Sequence, residues 1–232
     1  HEEENFRSGY CVAMYWETLS RWIGPRARRD ALRLGVPCVF LQAVDECNTI
    51  DGPTARRLLN VPNLHNTGHI HGVLPAHVGM EVHITMKLNS EYGLVQEQRA
   101  TIVAFLFNAE DQAADDSCSR RGQLFRPRYC PHGIWLRIHD FEQSPIWQEA
   151  LPFLGHTRTL PEQEGHIDAH VREWISREAN ILAQSLLLYR PVQQEFTWRS
   201  TETHTVRRIG FPLTHGRYLT STSAQGQTLR CG

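Results

Sequence analysis

Between Phe211 and Leu229 the sequence carries a comb of hydroxyls and a turn. Pro212-Leu213 is followed by Thr220-Ser221-Thr222-Ser223, then by Gln225-Gly226 and Thr228-Leu229. A strand-like segment thus runs into short polar side chains and a Gln-Gly reversal. Hydroxyls are short donors, and a glycine lets main-chain N–H groups come close to an anion, so the chemistry this stretch suits is contact with phosphates.

Other chemistry is less well supplied. His65, His69 and His71, with His77 and His83 downstream, include a pair that would share one face of an extended strand, and imidazole suits zinc. No carboxylate or Cys completes a set at fixed spacing, so these histidines are read as surface residues and no metal site is assigned. Cys118, Cys130 and His132 make only part of a four-ligand zinc site. There is no Gly-x-Ser-x-Gly elbow, and no catalytic residue is assigned. Of 24 basic residues only Lys87 is a lysine, and it stands in Met86-Lys87-Leu88. A phosphate-cradling Gly-x-x-x-x-Gly-Lys-Ser/Thr loop is therefore absent, which excludes a self-sufficient P-loop ATPase. The six cysteines form no Cys-x-x-Cys pair and read as reduced thiols.

The elements that must position the hydroxyl comb can be read from periodicity. Residues 12–34 are helical, with Leu19, Trp22 and Ile23 on one face, a break at Gly24-Pro25 and a stop at Gly35. Cys38–Leu41 reads as a buried strand, and 60–72 as a loop. Val82, Ile84 and Met86 alternate with polar residues, and Arg99–Phe107 is a second, nearly apolar strand; the two should pair antiparallel. The expected reversal lies at Asn89–Gly93, with Gly93 left-handed and Gln96–Gln98 drawn into the second strand or a bulge, so changes at Glu97 should be mild. Residues 108–132 read as a loop and Gly133–Ile138 as an alternating strand. A capping-box pattern at Thr159–Glu162 opens a helix running to about residue 188. Glu195–Trp198 and Thr205–Ile209 form a hairpin. Trp135 and Trp174 belong to the core, whereas Trp198, beside Arg199, is a candidate for stacking a base.

The chain has 232 residues and a net charge of −1, so nothing global favours nucleic acid. Arginines do cluster at Arg26, Arg28, Arg29 and Arg33 and at Arg120, Arg121, Arg126 and Arg128; they read as solvated faces. No apolar run approaches the roughly 18–20 residues of a membrane span. No signal peptide is visible at His1-Glu2-Glu3-Glu4, and the start on His has the look of a fragment.

The order Pro212-Leu213, Thr220, Gln225-Gly226, Thr228-Leu229 resembles the strand-to-loop motif in the second RecA-like motor domain of PIF/RecD-type superfamily 1 DNA helicases. A second resemblance lies in Leu74, Gly79, Val82, Gly93-Leu94-Val95, Arg99 and Val103, the pattern that opens a small Src-homology-3 type barrel in that family. Gln42-Ala43-Val44-Asp45 is similar to an Ala-x-Asp element of the same domain. The departures are Thr222, Ser223 and Ala224 where the family has His, Lys and Ser, and Gln96-Glu97-Gln98 where it has Asn-Gly-Thr.

The resemblance implies an α/β fold: a partial RecA-like second motor domain interrupted by a small Src-homology-3 type β-barrel and a helical insertion. Residues 1–72 would begin the motor domain, 73–205 would hold the barrel with a loop at 108–132 and a helix at 160–188, and 206–232 would return to the motor domain. It implies that Thr220 and Thr222 contact single-stranded DNA, with Trp198 and Arg199 as further DNA-binding candidates. Gln225, Gly226 and Thr228 would lie toward the nucleotide cleft. ATP and Mg are expected for the complete enzyme only, with the Walker motifs supplied by helicase segments on either side of this chain. The setting implied is intracellular, nuclear or mitochondrial. A reading of another class is a non-catalytic nucleic-acid or protein-binding remnant of a mobile-element helicase.

Overall fold

The computed structural model describes residues 11–47, 50–87, 96–108, 110–111, 123–139, 186–199 and 202–220, a mixed α/β arrangement. Strand β1 (Cys11–Ala13) leads through Met14 and Tyr15 into helix α1 (Trp16–Leu34). Leu19, Ile23, Ala27 and Ala31 recur every four residues, and all are buried. That stripe draws one side of α1 onto the protein, each large aliphatic side chain adding about 1.5–3 kcal/mol. The helix runs unbroken through Pro25, contrary to the expected break at Gly24-Pro25. Packing of residues on both sides of the proline outweighs the lost hydrogen bond there. Trp22, expected on the inner face with Leu19 and Ile23, is instead 59% exposed. It lies on the opposite flank of the helix from Ala27 and Ala31.

The stop at Gly35 is as expected. Gly35 takes φ 73°, and its N–H donates to Leu32 O at 3.2 Å while Val36 N–H donates to Ala31 O at 3.1 Å. These bonds close the helix end, and a side chain would strain that backbone.

The next strand, β2 (Cys38–Gln42), is buried as read, between β4 (Val73–Ala76), antiparallel, and β7 (Leu124–Phe125), parallel. A short helix α2 (Gly52–Leu59), capped by Asp51 accepting from Thr54 N–H at 2.9 Å, went unread in the sequence. It has only eight residues, so its apolar Ala55, Leu58 and Leu59 amount to a single helical repeat. A 3₁₀ turn over Leu64–Thr67 lies within the expected loop.

The largest sheet has five strands, all antiparallel, in the order β12 (Leu213–His215), β5 (Glu81–Ile84), β6 (Arg99–Leu106), β8 (Gly133–Ile138), β9 (Leu186–Tyr189). Strands β5 and β6 pair as expected. Strand β8 was read as alternating, but Gly133 through Leu136 are all buried, because both faces of this central strand are covered. Strand β9 corrects the expected helix 160–188: its last three positions, 186–188, are extended and paired with β8. An apolar Leu-Leu-Leu run fits either state, and the sheet supplies the partner here. Residues 140–185, with the rest of that helix and Trp174, lie outside the described residues.

Where β5 meets β6, Glu97 N–H donates to Ile84 O at 2.8 Å and Ile84 N–H donates to Gln98 O at 3.0 Å. Two residues thus oppose one, a β-bulge, and Glu97 sits in the left-handed region with φ 67°. The expected bulge at Gln96–Gln98 is present, but the left-handed position within it belongs to Glu97. The expected reversal at Asn89–Gly93 lies outside the described residues.

The last sheet joins β10 (Val192–Arg199), β11 (Thr203–Gly210) and β3 (Val44–Glu46), all antiparallel. The expected hairpin is the β10–β11 pair. Finally β13 (Tyr218–Thr220) pairs with β1, parallel, in a sheet of its own.

Candidate nucleic-acid interface

The parallel pair β1–β13 is in register Cys11↔Tyr218, Val12↔Leu219, Ala13↔Thr220. Both strands therefore end at the same edge, Thr220 beside Ala13. From that edge β1 turns directly into α1, and Thr220 is the first residue of the hydroxyl comb. The carboxyl ends of parallel strands, with a helix N-terminus beside them, are where α/β sheets receive ligands, because the helix offers main-chain N–H groups without intrahelical partners. Tyr15, the residue that enters α1, makes no side-chain cap. Met14 and Tyr15 are 69% and 62% exposed, so two large side chains stand open at this edge.

The turn before β13 is tied to the five-stranded sheet. Gly216 N–H donates to Glu81 O at 2.8 Å, and Arg217 Nε lies 3.5 Å from Glu81 Oε2. A methyl group on Gly216 would stand 2.9 Å from the Glu81 carbonyl carbon and 3.0 Å from Val82 N. The turn at Gly216 thus approaches main chain where only glycine fits, and this fixes the path from β12 to Thr220.

Of the residues singled out in the sequence, Thr220 stands at this edge. Thr222, Gln225, Gly226 and Thr228 lie outside the described residues. Trp198 and Arg199 end β10 in a different sheet, opposite His204 and Thr203. Trp198 is half-buried with its ring 5.9 Å from that of His204, and Arg199 is exposed. Trp135 is buried in the core as expected.

The histidines correct the sequence reading. His77 and His83 are buried, not on the surface, whereas His65 is exposed as read. His69 has φ 63°, so it and His71 do not share an extended strand. Among the described residues no three His, Cys, Asp or Glu gather as a metal site. His71 Nε2 lies 3.1 Å from Thr214 Oγ1; desolvation, then the nearby Arg208 guanidinium, push its imidazole down to about 4. Burial also lowers His77, and it pushes His215 down to about 3.

The sequence reading also missed Arg208. Its side chain is fully buried, with Nε 2.6 Å from Asp45 Oδ1 and Nη2 2.8 Å from Asp45 Oδ2. It donates further to Ile70 O at 3.0 Å and Leu58 O at 3.1 Å, and lies 5.4 Å from the Phe196 ring centroid. Asp45, read as part of an Ala-x-Asp element, is thus the carboxylate of a structural clamp joining β3, β11 and the end of α2. The signal was an arginine at an inward position of an alternating strand.

No protein-family model matches this chain, and no curated protein does. Solved structures do. A Pif1 helicase from Candida albicans is 16% identical, with a TM-score of 0.44, over 94% of this chain and 37% of that one. A Bacteroides Pif1 bound to ssDNA is 11% identical, with a TM-score of 0.44, over 94% of this chain and 32% of its own. An unliganded Pif1 from Bacteroides sp is 9% identical, with a TM-score of 0.43, over 96% and 44%. The chain thus spans well under half the length of these structures, and a likeness this loose assigns no activity. No helix among the described residues is long and apolar enough to cross a membrane.

Proposed function

We propose that this chain is a portion of a PIF-type ATP-dependent DNA helicase that contacts the backbone of single-stranded DNA and borders one side of the ATP cleft. One observation carries the reading: the Ala13↔Thr220 register, which sets the start of the hydroxyl comb at the carboxyl edge of a parallel pair and beside the first turn of α1. Two sequence motifs in their family order support it. In this reading the protein works inside the cell on nuclear or mitochondrial DNA.

ATP with Mg would be held mainly by other helicase segments. When bound it supplies the free energy for movement along the strand, by phosphoryl transfer that relies on positioning and electrostatics. This chain would border it with Gln225, Gly226 and Thr228. The described residues offer no phosphate-cradling lysine, since Lys87 stands exposed at the end of the β5 segment. The chain alone is therefore expected to hydrolyse no ATP, with or without DNA, and DNA-stimulated turnover that survives purification would refute this.

The test of DNA contact is fluorescence anisotropy with mixed-sequence single strands across a salt series. Weak, salt-sensitive binding with little base preference is expected, because the contacts are to phosphates. Thr220→Val should weaken it a few-fold. Tight binding that ignores salt, or none at low salt, would refute the reading.

A further inference from the structure

We propose that the outward face of α1 is a second track for single-stranded nucleic acid, with arginines holding phosphates and Trp22 stacking a base. The inference rests on the reading of the chain as a DNA-contacting piece and adds a surface which that reading does not contain.

The helix carries five arginines against two acids. Asp30 is buried, and it accepts from Arg26 Nε at 2.8 Å and faces Arg33 Nη2 at 3.8 Å. Its charge is thus spent on those two arginines. Arg21, Arg28 and Arg29 are exposed and form no ion pair among the described residues. At about 100° per residue, Trp22 and Arg29 lie on one line along the helix, and Arg21 and Arg28 on the next. Between Arg21 and Arg33 the strip is about 18 Å long. Trp22 and Leu32, 59% and 60% exposed, sit within it.

Charge complementarity selects a polyanion. Guanidinium is a planar fork that meets phosphate oxygens two at a time, and an indole face is sequence-tolerant toward bases. Two large apolar side chains scattered among cations do not make the continuous apolar face with which a helix enters a lipid surface. A single strand is favoured over a duplex by what adjoins the strip. Arg21 also lines a cleft of about 300 Å³ between α1, the end of α2 and β4, where Ile23, Val61 and Pro62 stand among Ser20, Asn60 and His71. An unstacked base fits a cleft of that kind, apolar surface meeting its face and polar groups its edge, whereas the bases of a duplex stay paired and stacked inside it.

The test compares the wild-type chain with Arg21→Gln/Arg28→Gln/Arg29→Gln, Trp22→Ala and Thr220→Val, after circular dichroism shows that each keeps its helix content. Binding is read by anisotropy against a single-stranded oligonucleotide and a duplex of equal length, and by sedimentation with phosphatidylserine vesicles, across salt. The triple variant should lose about tenfold in single-strand affinity and flatten the log–log salt slope by about 2, the share of three phosphates on a single strand. Trp22→Ala should lose about tenfold with the slope unchanged. If the triple variant binds like wild type while Thr220→Val binds worse, the track is wrong and the helicase reading stands. If Trp22→Ala binds like wild type, or the duplex is preferred, the single-strand assignment is wrong. Arginine-dependent binding to vesicles without binding to oligonucleotides overturns both.

Discussion

Arginine is handled in opposite ways at two places in this molecule. On α1, Arg21, Arg28 and Arg29 stand in solvent on a helix whose other side is buried. In the β10–β11–β3 sheet, Arg208 is wholly enclosed and its three nitrogens meet a carboxylate and two main-chain carbonyls. The residue type is the same, and so is its charge. Burial decides the role: a desolvated guanidinium must have every donor engaged, so Arg208 is committed to structure, while an exposed one keeps its forks for a ligand.

The sharpest way to break that comparison is to remove the charge in both places. Arg208→Ala leaves the Asp45 carboxylate, its side chain only 10% exposed, without its partner and should cost about 3 kcal/mol. Gln at Arg21, Arg28 or Arg29, one at a time, should change stability by no more than about 0.5 kcal/mol. Urea unfolding of the four variants checks this; equal losses would mean that α1's arginines are also structural. Because Arg208 and Asp45 act as a pair, Asp45→Asn in the Arg208→Ala background should add little to the loss.

A smaller effect comes from acid. His71 lies near Arg208 and stays neutral in the fold down to about 4, whereas in the unfolded chain it protonates around 6.5. Below pH 6.5 the unfolded chain therefore binds the extra proton. Stability is full above that pH and falls by up to about 1.4 kcal/mol per unit toward pH 4 for each such histidine. His77 and His215, also lowered by burial, shift the balance in the same direction. Urea midpoints at pH 7.5 and 5 should differ accordingly, with part of the difference removed in His71→Asn. A flat profile would show that these rings are not buried neutral.

The smallest effect concerns backbone strain rather than charge. Glu97 holds φ 67° in the bulge, so Glu97→Gly should stabilise the chain by up to about 1 kcal/mol, and Glu97→Val should destabilise it by about 1–2 kcal/mol. This revises the expectation that changes at Glu97 are mild. Thermal unfolding of the two variants in opposite directions is the expected result; shifts of the same sign would place the strain elsewhere.

Much of the local architecture is legible in the residues themselves. The β10–β11 hairpin, the pairing of β5 with β6, the buried strand at Cys38–Leu41 and the stop at Gly35 follow from alternation, apolar runs and the left-handed freedom of glycine. These signals are local, and the rules that produce them act over a few residues. What periodicity leaves open is which element covers which face. It grouped Trp22 with Leu19 and Ile23, yet the protein turns Trp22 to solvent. It read His77 and His83 as surface residues, yet both are buried. It left the leucines at 186–188 compatible with a helix until β8 supplied a strand to pair with.

The site divides along the same line. The hydroxyl comb and its suitability for phosphates are properties of residue type and spacing, and the amino-acid sequence determined them alone. That Thr220 stands beside Ala13, and that Arg208 finds Asp45 across 163 residues of chain, was decided only by the tertiary structure. The reason is physical: a hydrogen bond or an ion pair between distant segments costs chain entropy to assemble, and only the packed core around it returns that cost.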